Sequence, residues 1–170
     1  LFPAVSKVYV ISENEEVKEL LAVMEQGNST GIISAVEIRD SNTLTFVDGE
    51  IHSHLSKEME DPVFYEAGNA LVKSKLWKDY AECLNLTILD KNAPIMVSKK
   101  LVQPFMGRAF KLLQQVPYKN KELNNYLLAN KITQANIARH NFPENVAEIR
   151  KRWKLKEGGK DYLFFAKING

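Results

Sequence analysis

The chain has 170 residues, 45% hydrophobic and 26% charged, enough for one domain or two small ones with a buried core. No run approaches the roughly 18 apolar residues of a membrane span, and the lone Cys83 excludes an internal disulfide and fits a reducing, cytoplasmic setting. The net charge of +2 is uneven: residues 1–98 hold 8 Lys+Arg against 16 Asp+Glu, and residues 99–170 hold 15 against 5. A basic half points to nucleic acid or another acidic surface, or to two halves that attract each other.

The opening "LFPAVSKVYV" lacks the basic first region of a signal peptide and lacks an initiator Met, so it reads as part of something longer. "KVYVIS" (7–12) is strand-like. Ser12 with Glu15 has the capping-box spacing, and Val17, Leu20, Leu21 and Met24 recur on one helical face, predicting a helix over 13–25 that ends at Gly27. "GIISAVEI" and "TLTFVD" flank "RDSN" as a hairpin. Residues 49–64 are polar and irregular and contain Pro62. Leu71, Leu76, Trp77, Tyr80, Ala81 and Leu84 then mark an amphipathic helix near 68–84, and "LTILD" a strand. Strand-helix-strand-strand-helix-strand is a ferredoxin-like order.

"KNAPIMVSKKLVQP" reads as a join. Beyond it, "RAFKLLQQV" is strand-like, "NKELNNYLLAN" a short helix and "QANIAR" a strand. Pro143 suits a first helical position, starting a helix to about Trp153. Gly158-Gly159 makes a turn, and "DYLFFAKI" a closing strand. The expected fold is α+β: a ferredoxin-like module, 1–98, followed by a small α/β module, 99–170.

The stretch "ARHNFPENVAEIRKRWKLKEGG" (138–159) concentrates positive charge. Arg150, Lys151, Arg152 and Lys154 spread around their helix. Cations in a last turn complement the helix dipole. With Arg108, Lys111, Arg139, Lys160 and Lys167 in the same half, they also form a field that attracts phosphates. Phe105, Phe110, Tyr118, Phe142 and Trp153 are interleaved. Such aromatics can stack on bases, but at this spacing they are more often core.

His52 and His54 form an H-x-H pair, with His140, Glu50 or Cys83 as conceivable third metal ligands, but no spacing sets that group and a solvated loop is the simpler reading. "DGE", "FMGR" and "EGGK" contain neither a dinucleotide-binding nor a P-loop glycine pattern. No catalytic, cofactor-binding or metal constellation emerges from the residues.

The run from "FMGRAFKLLQQV" to "DYLFF" resembles the THUMP-like domain at the C-terminus of a group of bacterial class I S-adenosylmethionine-dependent methyltransferases. Gly107-Arg108, Phe110, "ANIARHNFP", "EIRKRWKLKEGG" and Tyr162 carry the likeness. Upstream, "KVYVISENEEVKELL" and "FYEAGNALVKSKLW" look like the ferredoxin-like segment of that group, with departures at Asn14–Val17, Ala67 and Met106. The resemblance implies an accessory region that binds structured RNA, tRNA or rRNA, and positions it for a methyltransferase domain N-terminal in the same chain. S-adenosylmethionine would bind in that domain and not here. Arg108, Lys111, Arg139, Arg150, Lys151, Arg152, Lys154 and Lys160 are the candidate phosphate contacts. The alternative is a protein-docking module that touches no RNA.

Overall fold

The computed structural model describes residues 4–28, 30–47 and 55–167. The protein is α+β, with ten strands and four helices among the described residues. It divides into two compact units, one of residues 1–89 and 94–111, the other of residues 112–170 with the 90–93 turn.

The first unit opens with a hairpin. β1 (Ala4–Glu13) pairs antiparallel with β2 (Glu16–Glu25) across Asn14 and Glu15, whose φ of 48° and 67° are the left-handed pair a tight hairpin needs. The helix expected over 13–25 is therefore a strand. Ser12 is no helix cap: it is buried and donates to the Val36 carbonyl. The four apolar side chains expected to face a core are exposed, Leu20 to 62% and Met24 to 60%. Their spacing matches a helix but is equally compatible with both faces of an edge strand.

β3 (Ile32–Arg39) runs parallel to β1, and β4 (Asn42–Val47) returns from it through Asp40 and Ser41, both left-handed, as the expected hairpin. The sheet order is β2-β1-β3-β4. The first unit thus has an extra strand where the ferredoxin-like order requires a helix.

The polar stretch expected to be irregular forms β5 (Leu55–Ala67). Its pairing register shifts between Glu58 and Val63, around Pro62, which has no N–H to give a ladder. The expected helix near 68–84 is two helices, α1 (Asn69–Ser74) and α2 (Trp77–Cys83), broken at left-handed Lys75. β6 (Thr87–Asp90) follows. The expected join is β7 (Ala93–Gln103), with Ile95 and Met96 fully buried, and β8 (Gly107–Lys111) completes the sheet β6-β7-β5-β8. One core lies between the elements of this unit. Leu71, Trp77, Tyr80 and Ala81 from the helices meet Ala35 and Phe46 of one sheet and Tyr65, Met96 and Val102 of the other.

The second unit is smaller. It comprises α3 (Asn120–Ala129), β9 (Asn136–His140), α4 (Val146–Trp153) and β10 (Tyr162–Ala166). β9 and β10 pair in parallel, which requires a crossover, and α4 supplies it. Leu123, Leu127, Phe142, Ile149, Leu155 and Phe165 form its core. The helix starts later than Pro143 suggests. Asn145 is the cap: the Glu148 N–H donates to Asn145 Oδ1 (2.9 Å) and the Asn145 N–H to Glu148 Oε2 (2.7 Å).

Candidate nucleic-acid interface

Tyr118 organises the second unit. Its ring lies edge-on to Phe142, Trp153 and Phe165, with centroids 4.8, 5.9 and 5.7 Å away. Its hydroxyl donates to Glu144 Oε1 (2.8 Å), and Arg152 Nη1 donates to the same carboxylate (2.5 Å). Tyr118, Phe142 and Trp153 are therefore packing residues. Phe105 is buried in the first unit's core, and Phe110 lies beside the Arg108 guanidinium there, 5.5 Å from centre to centre.

The cations of the α4 region fall into two sets. Arg150, half-buried, and Arg152, exposed, are each engaged by partners in their own unit. Arg150 Nη1 donates to the Ala135 carbonyl (3.1 Å), with Nη2 3.8 Å from Glu157, and Arg152 is held by Glu144 and Tyr118. Lys151, Lys154 and Lys160 are exposed and make no ion pair among the described residues. Arg139 is also exposed, with one N–H given to the Phe142 carbonyl (2.9 Å).

Lys156 belongs with the free lysines, and the sequence reading missed it. Lys154 ends α4 in the left-handed conformation, Leu155 is buried, and Lys156 pairs its N–H with the Thr133 carbonyl (3.0 Å). One buried leucine thus fixes two exposed lysines on either side of it. The signal was the K-L-K spacing itself, a lone apolar residue between cations just past a helix end.

Arg108 and Lys111 are engaged differently, each by a carboxylate. Both lie on β8, in the first unit. Arg108 grips Glu66, with Nε 2.9 Å from Oε2, and its Nε is 3.6 Å from Glu15. Lys111 Nζ is 2.7 Å from Asp61. Beside them, Arg39 donates to Glu37 and to the Gly107 carbonyl (2.9 Å). Glu37 is buried and its Oε2 has no hydrogen-bond partner among the described residues, so burial pushes its carboxyl above the usual range against the opposing effect of Arg39. Burial likewise pushes the Tyr80 hydroxyl up to about 12, while that oxygen accepts the Met106 N–H (3.0 Å). Gly107 makes the junction possible. Its φ is +136°, and a Cβ there would stand 2.2 Å from the Glu66 carbonyl oxygen.

His52 and His54 lie outside the described residues. Among the described residues, no three His, Cys, Asp or Glu side chains are placed to hold a metal. β5 passes through the single Gly68 into the six-residue α1, with no second glycine after it, so this turn does not fit the cofactor cradle of a nucleotide-binding fold. No helix is long and apolar enough to cross a membrane among the described residues.

Residues 107–170 match the family model described as THUMP domain-like. The whole chain is similar to the crystal structure of a candidate methyltransferase from Porphyromonas gingivalis W83, with a TM-score of 0.77 and 26% identity over 98% of its own length. It spans 43% of that protein's chain. No curated protein matches it. Residues 107–170 are thus THUMP domain-like, and the chain as a whole shares its fold with the matched part of the Porphyromonas protein. The family match starts one strand before the second compact unit, since β8 pairs with β5 in the first.

Proposed function

We propose that this chain binds structured RNA and positions it for an S-adenosylmethionine-dependent methyltransferase domain lying N-terminal in the same polypeptide. The observation that carries the reading is the set of exposed, unpaired lysines of the THUMP-like unit, Lys151, Lys154, Lys156 and Lys160. Residues 112–170 hold 11 Lys+Arg against 5 Asp+Glu, so the surplus stays with this unit after Arg108 and Lys111 are assigned to the other. Lysines act on phosphates as point charges, giving affinity without base readout. Arg139 adds an exposed guanidinium on β9 of the same unit. The methyl donor and the chemistry of transfer belong to the other domain, and the chain's own residues bind and orient.

The test is a titration of the chain against fluorescent tRNA and an rRNA hairpin at about 50 and about 200 mM salt. Expected is an affinity on the order of micromolar that falls steeply at the higher salt. Replacing Lys151, Lys154 and Lys160 together by Ala should weaken binding at low salt and flatten the salt slope. Absence of binding at low salt overturns the reading. It would favour the docking alternative, which draws on Arg150 and Arg152 being already engaged within the unit.

A further inference from the structure

Both faces of the sheet β2-β1-β3-β4 carry apolar residues, and among the described residues the helices of its unit cover only one. α1 packs over β1, β2 and β3 on the side where Val10, Ala35 and Phe46 are buried. The pleat sends the alternate residues to the other side. There, Tyr9 stands opposite Leu21, Ile11 beside Val36, and Ile32 and Ile38 extend the row along β3. None of these six is buried, and none belongs to either hydrophobic core.

A sheet with one solvated face alternates apolar and polar residues, whereas strands covered on both sides run apolar throughout. "KVYVIS" and "GIISAVEI" follow the second pattern. One small polar residue, the buried Ser34 opposite Tyr9, interrupts the row, and the charged and hydroxyl side chains Lys7, Glu19 and Thr45 stand at its margin. An apolar centre with a polar rim is the anatomy of an interface.

From this juxtaposition we infer that the face of Tyr9, Ile11, Leu21 and Val36 is the docking surface for the methyltransferase domain of the same polypeptide. The inference rests on the function proposed above and names its contact. The occupant is argued from length. In the Porphyromonas structure, the part matched by this chain is only 43% of the polypeptide, so more than half of that chain lies elsewhere. A domain tethered to this one meets the face at high effective concentration and needs no large area to stay there. The face centre carries no charge, so the contact is insensitive to salt, unlike phosphate binding.

The experiment is hydroxyl-radical footprinting of side chains, comparing the 170-residue chain with the full polypeptide that carries it, at low and high salt. The expected result is severalfold lower labelling of Tyr9, Leu21 and Ile38 in the full polypeptide at both salts. Val36→Lys in the full polypeptide should restore their labelling, with circular dichroism confirming an unchanged fold. Equal labelling in the two proteins overturns the docking. So does protection that appears in the isolated chain as it dimerises, read by light scattering, which would make a second copy the occupant. S-adenosylmethionine binding by the full polypeptide, measured calorimetrically, separates the two readings. Binding without protection overturns the docking alone, and absence of binding removes the methyltransferase domain and the docking with it.

Discussion

The two units use charge in opposite ways. The first places its arginines against carboxylates in partly buried junctions: Arg39 on Glu37 and Arg108 on Glu66, both meeting at Gly107 and its flanks. The second keeps two arginines for its own scaffold and leaves Lys151, Lys154, Lys156 and Lys160 on its surface with no ion pair among the described residues. The comparison teaches that net charge per half is a poor guide to a binding surface. Arg108 and Lys111 add to the basic sum of residues 99–170, yet they neutralise acids of the first unit. What remains after pairing is the informative quantity.

Each unit holds one tryptophan, Trp77 and Trp153, so single-tryptophan variants report on them separately. Gly107→Ala should have the largest effect. It forces a Cβ into the Glu66 carbonyl at a backbone angle that side chains avoid, and should cost about 4 kcal/mol. Urea unfolding followed through Trp77 should show the loss while the Trp153 transition stays in place. Loss of both transitions together would mean the units are not separately stable.

Tyr118→Phe is the matching change in the second unit. It keeps the ring packing and removes the hydroxyl shared by Glu144, Arg152 and Trp153, and should cost about 1–2 kcal/mol in the Trp153 transition. A smaller loss would show that the ring contacts alone hold α4 against its neighbours.

Glu37 sharpens the contrast through pH. Its folded-state pKa is raised, so the folded protein holds this proton more tightly than the unfolded chain does. The contribution is present at acidic pH and is lost as pH rises from the ordinary glutamate value through the raised one. Glu37→Gln removes the ionisation. The stability of the original protein relative to this variant should therefore fall across that window, read from urea midpoints at several pH values. A flat difference would mean the carboxylate is fully compensated by Arg39.

The smallest structural effect is expected for Lys151, Lys154 and Lys160. Their replacement by Ala should change stability by less than about 0.5 kcal/mol, because each is exposed and unpaired, while affecting RNA binding. A larger loss of stability would move these residues to the scaffold and erase the difference between the units.

How much of this was legible in the residues varies with the kind of signal. The α3, β9, α4 and β10 order was readable because apolar spacing and the Gly158-Gly159 turn agree there. The α2 core residues were readable for the same reason. β2 was not, because Val17, Leu20, Leu21 and Met24 satisfy a helical period while the decisive information lay in two left-handed residues, Asn14 and Glu15. β5 and β7 were hidden by Pro62 and Pro94, which read as breaks but sit at a register shift and in a strand's first residues. In the interface, the identity of the cations was plain, but their availability was not. The partner of Arg108 is 42 residues away, and that of Arg152 is set by where Tyr118 packs. Spacing along the chain carries neither distance.

The strand β8 also sets how much of the chain must be made before the first unit can complete its fold. Its pairing with β5 joins residues 107–111 to residues 63–67, so the second sheet of the first unit lacks an edge until Lys111 has left the ribosome. Until then Glu66 has no Arg108, and Arg39 has no Gly107 carbonyl to meet. The second unit, whose paired strands lie within residues 136–166, carries no such long wait. A nascent chain halted near residue 106 would expose an unfinished sheet edge to its neighbours and to chaperones, whereas one released a few residues later could close it.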